Sequence, residues 1–511
     1  MSKKVVSKGH LIDENCKYTD ATLIDNNGIV YTCMLNQTDL KSNKNKFYTM
    51  QLIKTGSTFV HFIRYGRIGE VGKISYQDFT TLSSAVDSFE KQFRSKTGNK
   101  WSEKNDFKKK DGKYFLSDVS YEAELKDVPT DDKKDIPASK LPKRVQDLLT
   151  MISDVNMLTN SLVQLDIDPK KMPLGKITSV QINSAKDLLT QIEKKLEAKG
   201  IIDKEEEDAT SDELTEMLDD DIIDLCSKYY TYIPYSCGRN KPPLINTKKI
   251  VDKYRQNLDD LMNIAIGVQI INNVKADENP LDSIYADINT IINPLRKNTK
   301  IWGEIDKYIK NTHGCTHDSK LRLMDIFEIE QAGKQKTFDD NCSGIGNRML
   351  LFHGTPQSCV LSIFKKDFYL DPTILNDPKI QIAGKLLGYG VYFADMATKS
   401  FNYTRAQATK NIGCLILAEV AVGNVSKRNN PDYGITKSSL AKEKCHSALG
   451  IGKWGPTSST AINGVQIPNG TVDVINNNTY LRYNEYVIYD IKQINIKYLA
   501  IVENIGGYGG Y

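Results

Sequence analysis

The periodicity of the sequence changes twice along its length, and this limits the available folds more than any single motif does. Residues 15–115 alternate short aromatic and β-branched runs with turns. The runs FYTMQLI, TFVHFIRYG and VGKISY read as strands of a small sheet. The stretch SSAVDSFEKQFRSKTG then has helical spacing at Val86, Phe89 and Phe93 and stops at Gly98, as a helix closing on that sheet would. Residues 116–138 are polar, contain two prolines and read as a linker. From Leu141 to about Asn272 the spacing is helical. Val145, Leu148, Leu149 and Ile152 share one face, and Ile177, Ile182, Leu188, Leu189, Ile192 and Leu196 continue it across breaks at Pro169, Pro173 and Gly175, so a helical bundle is expected. Past about residue 280 the strands return as RMLLFHG, GYGVYFAD, CLILAEVAVGNV and NEYVIYDIKQINIKYLAIV. Few helix patterns lie between them, which indicates an antiparallel or mixed α+β domain rather than alternating βαβ units. The expectation is a multidomain α+β protein: a tail over 1–14, a β-sheet module with one helix over 15–116, a linker over 117–138, an all-α bundle over 139–275 and a mixed domain over 276–511.

A chain of 511 residues, 40% hydrophobic and 26% charged, has an ordinary soluble composition with room for about three domains. No run approaches the roughly 18 apolar residues of a membrane span, and MSKKVVSKGH has no apolar stretch that could act as a signal peptide, so an intracellular protein without a membrane partner is expected. The nine cysteines are odd in number, scattered and without a C-x-x-C pair, which argues against a disulfide framework and against a zinc finger. HGCTH at 313–317 is the nearest approach to a metal cluster. Gly314 and the lack of a second cluster make it a plain loop, and no metal is expected. The net charge of +4 hides a segregation: residues 41–115 hold sixteen Lys and Arg against seven Asp and Glu, while DKEEEDATSDELTEMLDDD at 203–221 is strongly acidic. The basic segment is a candidate nucleic-acid surface.

Three stretches of the last domain join a strand to polar residues or glycine. RMLLFHGT ends in His353, Gly354 and Thr355, where Gly354 lets something approach the backbone closely. GYGVYFADMATKSFNY is a glycine-flanked strand with Tyr392, then a short helix with Ser400 and Tyr403. RYNEYVIYD reads as one strand with Glu485 in its middle, on the face shared by Tyr483, Val487 and Tyr489. A buried unpaired carboxylate is costly, so Glu485 must lie at a sheet end, be paired, or line a cleft that uses its charge. Singly, His353 reads as a structural histidine, Tyr392 and Tyr403 as core, and Glu485 as readily as a surface residue. Together they could line a pocket for a flat, polar, aromatic ligand. There is no Rossmann or Walker-type glycine loop, and GGYGGY at the end reads as a tail.

The order HGT, GYGVYFADMATKSFNY, NEYVIYD resembles the catalytic domain of the poly(ADP-ribose) polymerases, with its His–Tyr–Glu set spread over three strands. KLPKRVQDLLTMISDVNML, KKMPLGKI and YYTYIPYSCGRNKPPLINT resemble the helical regulatory domain of that family. YGRIGEVGK with KTGNKW resembles its WGR DNA-sensing module, in the shorter, DNA-dependent form that lacks zinc fingers. The resemblance runs from about residue 15 to 500 and implies that NAD⁺ is the substrate. It further implies that the backbone of Gly354 and the Ser400 hydroxyl hold the nicotinamide carboxamide, that Tyr403 stacks on the ring and that Tyr392 closes its other side. His353 would hold the adenosine-ribose 2′-hydroxyl with Thr355 in place of a family serine beside it, and Glu485 would bond the nicotinamide-ribose 2′-hydroxyl as the catalytic carboxylate, supported by His353 and Tyr392. The implied partners are damaged DNA at nicks or ends, protein acceptors including the chain itself, and chromatin proteins, in the nucleus. DNA contacts are expected from Tyr65, Arg64, Lys73 and Lys100 and above all from Arg67, with Trp101 as core.

Several positions depart from the family pattern: Tyr65 replaces the tryptophan of WGR, Cys359 an asparagine and Tyr369 an arginine, the loop 371–390 is long, and VENIGGYGGY does not match the usual end. The resemblance implies a DNA-break-activated polymerase whose helical domain, covering the NAD⁺ site, is loosened when the WGR module engages DNA. A mono-ADP-ribosyltransferase and a DNA-end-binding scaffold with a degenerate transferase domain stay open as alternatives.

Overall fold

The structure, a computed structural model, describes residues 12–117, 137–164, 179–200, 218–274, 277–370 and 386–506. The first eleven residues, most of the expected linker, KKMPLGKI with Ile177, the acidic run up to 217, the loop 371–385 and the last five residues lie outside the described residues. The chain divides into two compact units, Met1–Lys126 with Thr159–Asn272, and Asp127–Leu158 with Asn273–Tyr511. No helix among the described residues is long and apolar enough to cross a membrane.

In the first unit, β1 (Thr32–Asp39), β2 (Lys44–Thr55), β3 (Thr58–Arg67), β4 (Lys73–Phe79) and, after helix α1 (Leu82–Thr97), β5 (Phe115–Ser117) form an antiparallel sheet in the order β4-β3-β2-β1-β5. α1 starts at Thr81, whose hydroxyl accepts from the Ser84 N–H. It stops at Gly98, whose φ of 74° suits glycine and whose N–H bonds the Arg94 carbonyl. Its buried face is Ala85, Phe89 and Phe93, while Val86 is only half-buried. Trp101 is buried edge-on against Phe89 and Phe93, at 4.9 and 5.0 Å between ring centres, so it is core.

The helical segment is shared between the units. α2 (Lys143–Ile152) buries Val145, Leu148, Leu149 and Ile152, and its Arg144 Nε bonds Asp325 at 3.0 Å within the second unit. The helices α3 (Ser179–Ala198), α4 (Asp220–Tyr232) and α5 (Lys248–Asn272) belong with the first sheet. α3 buries Ile182, Leu188, Leu189, Ile192 and Leu196 as its spacing requires, and its Glu193 bonds Arg255 of α5 at 2.7 Å. α4 meets β1 through hydroxyls: the Thr38 and Leu40 N–H groups bond Thr231 and Ser227 at 3.1 and 3.0 Å.

The second unit continues with α6 (Pro280–Ile288), β6 (Thr290–Pro294), α7 (Lys300–Asn311), β7 (Leu321–Gln331), β8 (Arg348–Thr355), β9 (Val391–Phe393), α8 (Ala397–Phe401), β10 (Ile412–Ala421), β11 (Val425–Arg428) and β12 (Ser447–Gly450). It ends with β13 (Gly452–Pro456), β14 (Thr460–Ile462), β15 (Val465–Ile467), β16 (Val472–Val474), β17 (Leu481–Tyr483), β18 (Glu485–Ile488) and β19 (Ile494–Asn504). These make a seven-stranded sheet β14-β15-β8-β10-β19-β7-β6, a four-stranded sheet β9-β18-β12-β11 and a three-stranded sheet β16-β13-β17. Pairing is mostly antiparallel, with parallel pairs at β8/β15, β11/β12 and β13/β17. Ile305 and Tyr308 of α7 pack on Leu350 and Phe352 of β8 and on Leu415 and Leu417 of β10, which sets β8 in the core of the unit.

RYNEYVIYD is not one strand. The chain leaves the three-stranded sheet after Tyr483 and enters the four-stranded sheet at Glu485. The break is at Asn484, whose side-chain Oδ1 takes the Gly452 N–H at 2.8 Å, a bond that competes with a continuous ladder. Alternation holds beyond the break, where Val487 and Tyr489 share one apolar cluster.

Candidate active site

β8 delivers His353, Gly354 and Thr355. The Phe352 N–H and carbonyl bond Ala394 at 2.9 Å each, so Phe352 turns its backbone away from β10. By the two-residue period Gly354 directs its own N–H and carbonyl the same way. A Cβ on Gly354 would lie 1.7 Å from the Ser400 carbonyl oxygen, so the close approach that makes glycine necessary is that of the Ser400 backbone. Ser400 is buried on α8, and its hydroxyl donates to the Phe352 carbonyl at 3.3 Å. The carbonyl of Tyr392 lies 2.9 Å from His353 Nδ1. A carbonyl only accepts, so Nδ1 carries the proton and Nε2 of the neutral ring is an acceptor. Thr355 is buried at the strand end.

The two tyrosines play opposite parts. Tyr392 donates its hydroxyl to the Gly388 carbonyl at 2.7 Å and accepts the Leu387 N–H at 3.0 Å, and burial pushes its phenol well above the usual range. Tyr403, on the short turn after α8, is 61% exposed. Its exposure removes the core reading that a lone tyrosine suggests.

Glu485 meets two of the conditions expected of a buried carboxylate, a strand end and a partner. It is the first residue of β18, it is 9% exposed, and its Oε1 accepts from Lys399 Nζ at 2.8 Å. Its Oε2 is buried and accepts no hydrogen bond among the described residues, an orphan acceptor. Lys399 also donates to the Asn484 carbonyl at 2.9 Å. Sequence reasoning missed this lysine, although it stands directly before Ser400 in a stretch already singled out; pairing it with Glu485 required the fold.

The HGCTH loop folds onto the same region. The Gly314 N–H and His317 Nδ1 both meet the Thr398 hydroxyl at 2.8 Å, the Thr316 N–H bonds the Tyr483 hydroxyl at 2.9 Å, and burial pushes His317 down to about 4. Among the described residues no group of His, Cys, Asp and Glu could hold a metal ion. Of the two donor-side departures, Cys359 is buried and Tyr369 is 64% exposed.

The expected DNA residues divide. Tyr65 is 39% exposed and stacks on Tyr48, with ring centres 5.4 Å apart, and Lys73 is exposed on the neighbouring strand. Lys100 pairs with Glu103 at 2.9 Å. Arg64 is held by Asp13, its Nε and Nη2 each 2.9 Å from a carboxylate oxygen. Arg67, expected to lead the DNA contacts, donates to the carbonyls of Asn43, Gly238 and Asn240, so its guanidinium ties the sheet to the segment between α4 and α5.

This is an ADP-ribosyltransferase architecture, and the comparisons agree. Residues 300–504 match the model of the poly(ADP-ribose) polymerase catalytic domain, 139–285 that of the poly(ADP-ribose) polymerase regulatory domain and 31–108 that of the WGR domain. The chain belongs to the poly(ADP-ribose) polymerase family. It is 32% identical over 493 residues to human poly [ADP-ribose] polymerase 2, covering 93% of this chain and 79% of that one. It is also 32% identical to poly [ADP-ribose] polymerase 1 of Gallus gallus and 34% identical to the poly [ADP-ribose] polymerase of Sarcophaga peregrina, covering 97% and 92% of this chain. It spans about half the length of those last two, 47% and 45%.

Proposed function

We infer that this chain is a DNA-break-activated poly(ADP-ribose) polymerase, which transfers ADP-ribose from NAD⁺ to protein side chains, its own included, and to growing chains, with release of nicotinamide. The observation that carries this reading is Glu485, held on one oxygen by Lys399 and left with a buried acceptor on the other. Cleavage of the nicotinamide–ribose bond develops positive charge on the sugar, and a preorganised carboxylate beside it lowers the barrier. The same oxygen can orient an attacking hydroxyl and take its proton. Gly354 and Ser400 supply the carboxamide contacts, the exposed Tyr403 ring stacks on nicotinamide, the tethered Tyr392 bounds the other side, and His353 Nε2 accepts from the adenosine ribose. A nuclear location and chromatin partners belong to the same reading.

DNA is engaged through the backbone, so binding is salt-dependent and insensitive to sequence. Lys73→Ala should lower the slope of log affinity against log salt by about one, with equal loss on unrelated nicked duplexes in a fluorescence titration. The Arg67 tie gives the helical segment a direct link to the DNA-sensing sheet. Within the helical region 139–275, α2 packs in the second compact unit, so the segment chosen for removal is 159–272. With labelled NAD⁺, the full chain should form long polymer on a denaturing gel only with 5′-phosphorylated nicked DNA, and a chain lacking 159–272 should form it without DNA. Failure of the intact chain to release nicotinamide with nicked DNA would reject the enzyme reading in favour of a scaffold, single additions would favour mono-transfer, and a folded deletion that still needs DNA would reject the switch.

A further inference from the structure

The residues on either side of Glu485 share one buried partner. Asp395, 2% exposed, accepts from Asn484 Nδ2 at 2.7 Å and from the Tyr486 hydroxyl at 3.2 Å. Tyr486 leaves β18 on the face opposite Glu485 and Asn484 directly precedes the strand, so Asp395 grips it from behind the carboxylate. The grip falls where the backbone ladder fails. β9 pairs with β18 at Val391/Ile488, Tyr392/Val487 and Phe393/Tyr486, and there it ends, because Ala394 turns its backbone to Phe352. The next positions in register are Ala394 with Glu485 and Asp395 with Asn484, so a side-chain pair replaces the lost backbone bonds at the catalytic residue. The other end of the Asn484 amide is pinned by the Gly452 N–H, and Lys399, one helical turn after Asp395, bonds both the Asn484 carbonyl and Glu485 Oε1. Ala394 also fixes the chain to β8 beside His353, which makes the 394–395 segment the common anchor of the donor-binding strand and the carboxylate strand.

We propose that Asp395 is a positioning residue for ADP-ribose transfer: through Asn484 and Tyr486 it sets where Glu485 stands relative to His353 and Gly354. Burial pushes the Asp395 carboxyl above its usual range, while the Asn484 amide, Lys399 and the Tyr486 hydroxyl act in the opposite sense. The proposal rests on the assignment of Glu485 as the catalytic carboxylate.

Asp395→Leu is close in volume and removes the oxygen that accepts both bonds, whereas Asp395→Asn keeps a carbonyl oxygen that can stand in its place. In the full-length chain with nicked DNA, kcat for transfer by Asp395→Leu should fall by about 10- to 100-fold, since small misplacements of a reacting group cost that much. KM for NAD⁺ and affinity for benzamide, a probe of the nicotinamide pocket, should stay within about twofold. Asp395→Asn, the conservative variant, should keep most of the rate. If Asp395→Leu does not fold, Tyr486→Phe, which removes one of the two bonds, carries the test with an expected loss of about two- to fivefold in kcat. An unchanged kcat in the folded variant tested, parallel loss of benzamide affinity and kcat, or as large a loss in Asp395→Asn as in Asp395→Leu would overturn the proposal. Should the unaltered chain release no nicotinamide, the functional reading fails separately. Crystal structures of the unaltered and variant chains then decide this one, with an unmoved Glu485 in Asp395→Leu, or in Tyr486→Phe if that is the variant that folds, counting against it.

Discussion

Glu485→Gln is expected to leave NAD⁺ affinity within about threefold while lowering the rate of transfer by about 10²–10³, the range for removing one preorganised electrostatic contact to a transition state. The substitution keeps the shape of the side chain and an acceptor for Lys399 Nζ, which also retains the Asn484 carbonyl at 2.9 Å, so the site should stay assembled. What is lost is the charge opposite the developing sugar cation and the base for the incoming hydroxyl. Chain growth needs both in every cycle, so on a denaturing gel the polymer ladder should collapse to single additions or none. Thermal unfolding should drop by the equivalent of about 1–3 kcal/mol, because a charge-assisted bond to a mostly buried lysine becomes a neutral one. Polymer of unchanged length from a folded Glu485→Gln chain would remove the carboxylate from the mechanism.

Gly354→Ala should be nearly as damaging for a different reason. The added methyl would sit 1.7 Å from the Ser400 oxygen and 2.6 Å from its carbonyl carbon, and these are backbone atoms that cannot swing aside. β8 or α8 must move. The expected cost is about 3 kcal/mol or more of stability, together with loss of benzamide binding by at least about a hundredfold, as the carboxamide contacts proposed for Gly354 and Ser400 separate. Gly303→Ala is the control. Gly303 lies within α7 and has nothing within 4 Å of its missing Cβ, so alanine there should be neutral or stabilising by up to about 1 kcal/mol. Retention of benzamide affinity in Gly354→Ala, measured by calorimetry beside that control, would show that the tight packing of β8 on α8 is not what forms the pocket.

Periodicity made much of this molecule legible. The strands and closing helix of the first sheet follow from alternation and capping, and the buried faces of α2 and α3 from helical spacing, because local hydrophobic repeats are decided within a few residues of chain. The site residues stood out because glycines and polar groups interrupt otherwise apolar strands at His353, Gly354 and Glu485. Local pattern misled at RYNEYVIYD, which has the composition of one strand. The competing hydrogen bonds of Asn484 come from Gly452 and Asp395, far away in sequence, and they break it in two.

The sequence by itself therefore determined most strands of the first sheet, the buried faces of α2 and α3 and the kinds of side chain available for chemistry, since those depend on residue identity and short-range spacing. Only the tertiary structure decided the partners. It set Lys399 against Glu485, the Ser400 backbone against Gly354, and Arg67 against the carbonyls of 238 and 240. Such pairings depend on where distant segments converge in three dimensions, and charge complementarity alone cannot choose among the many lysines and arginines that could satisfy one carboxylate or one carbonyl.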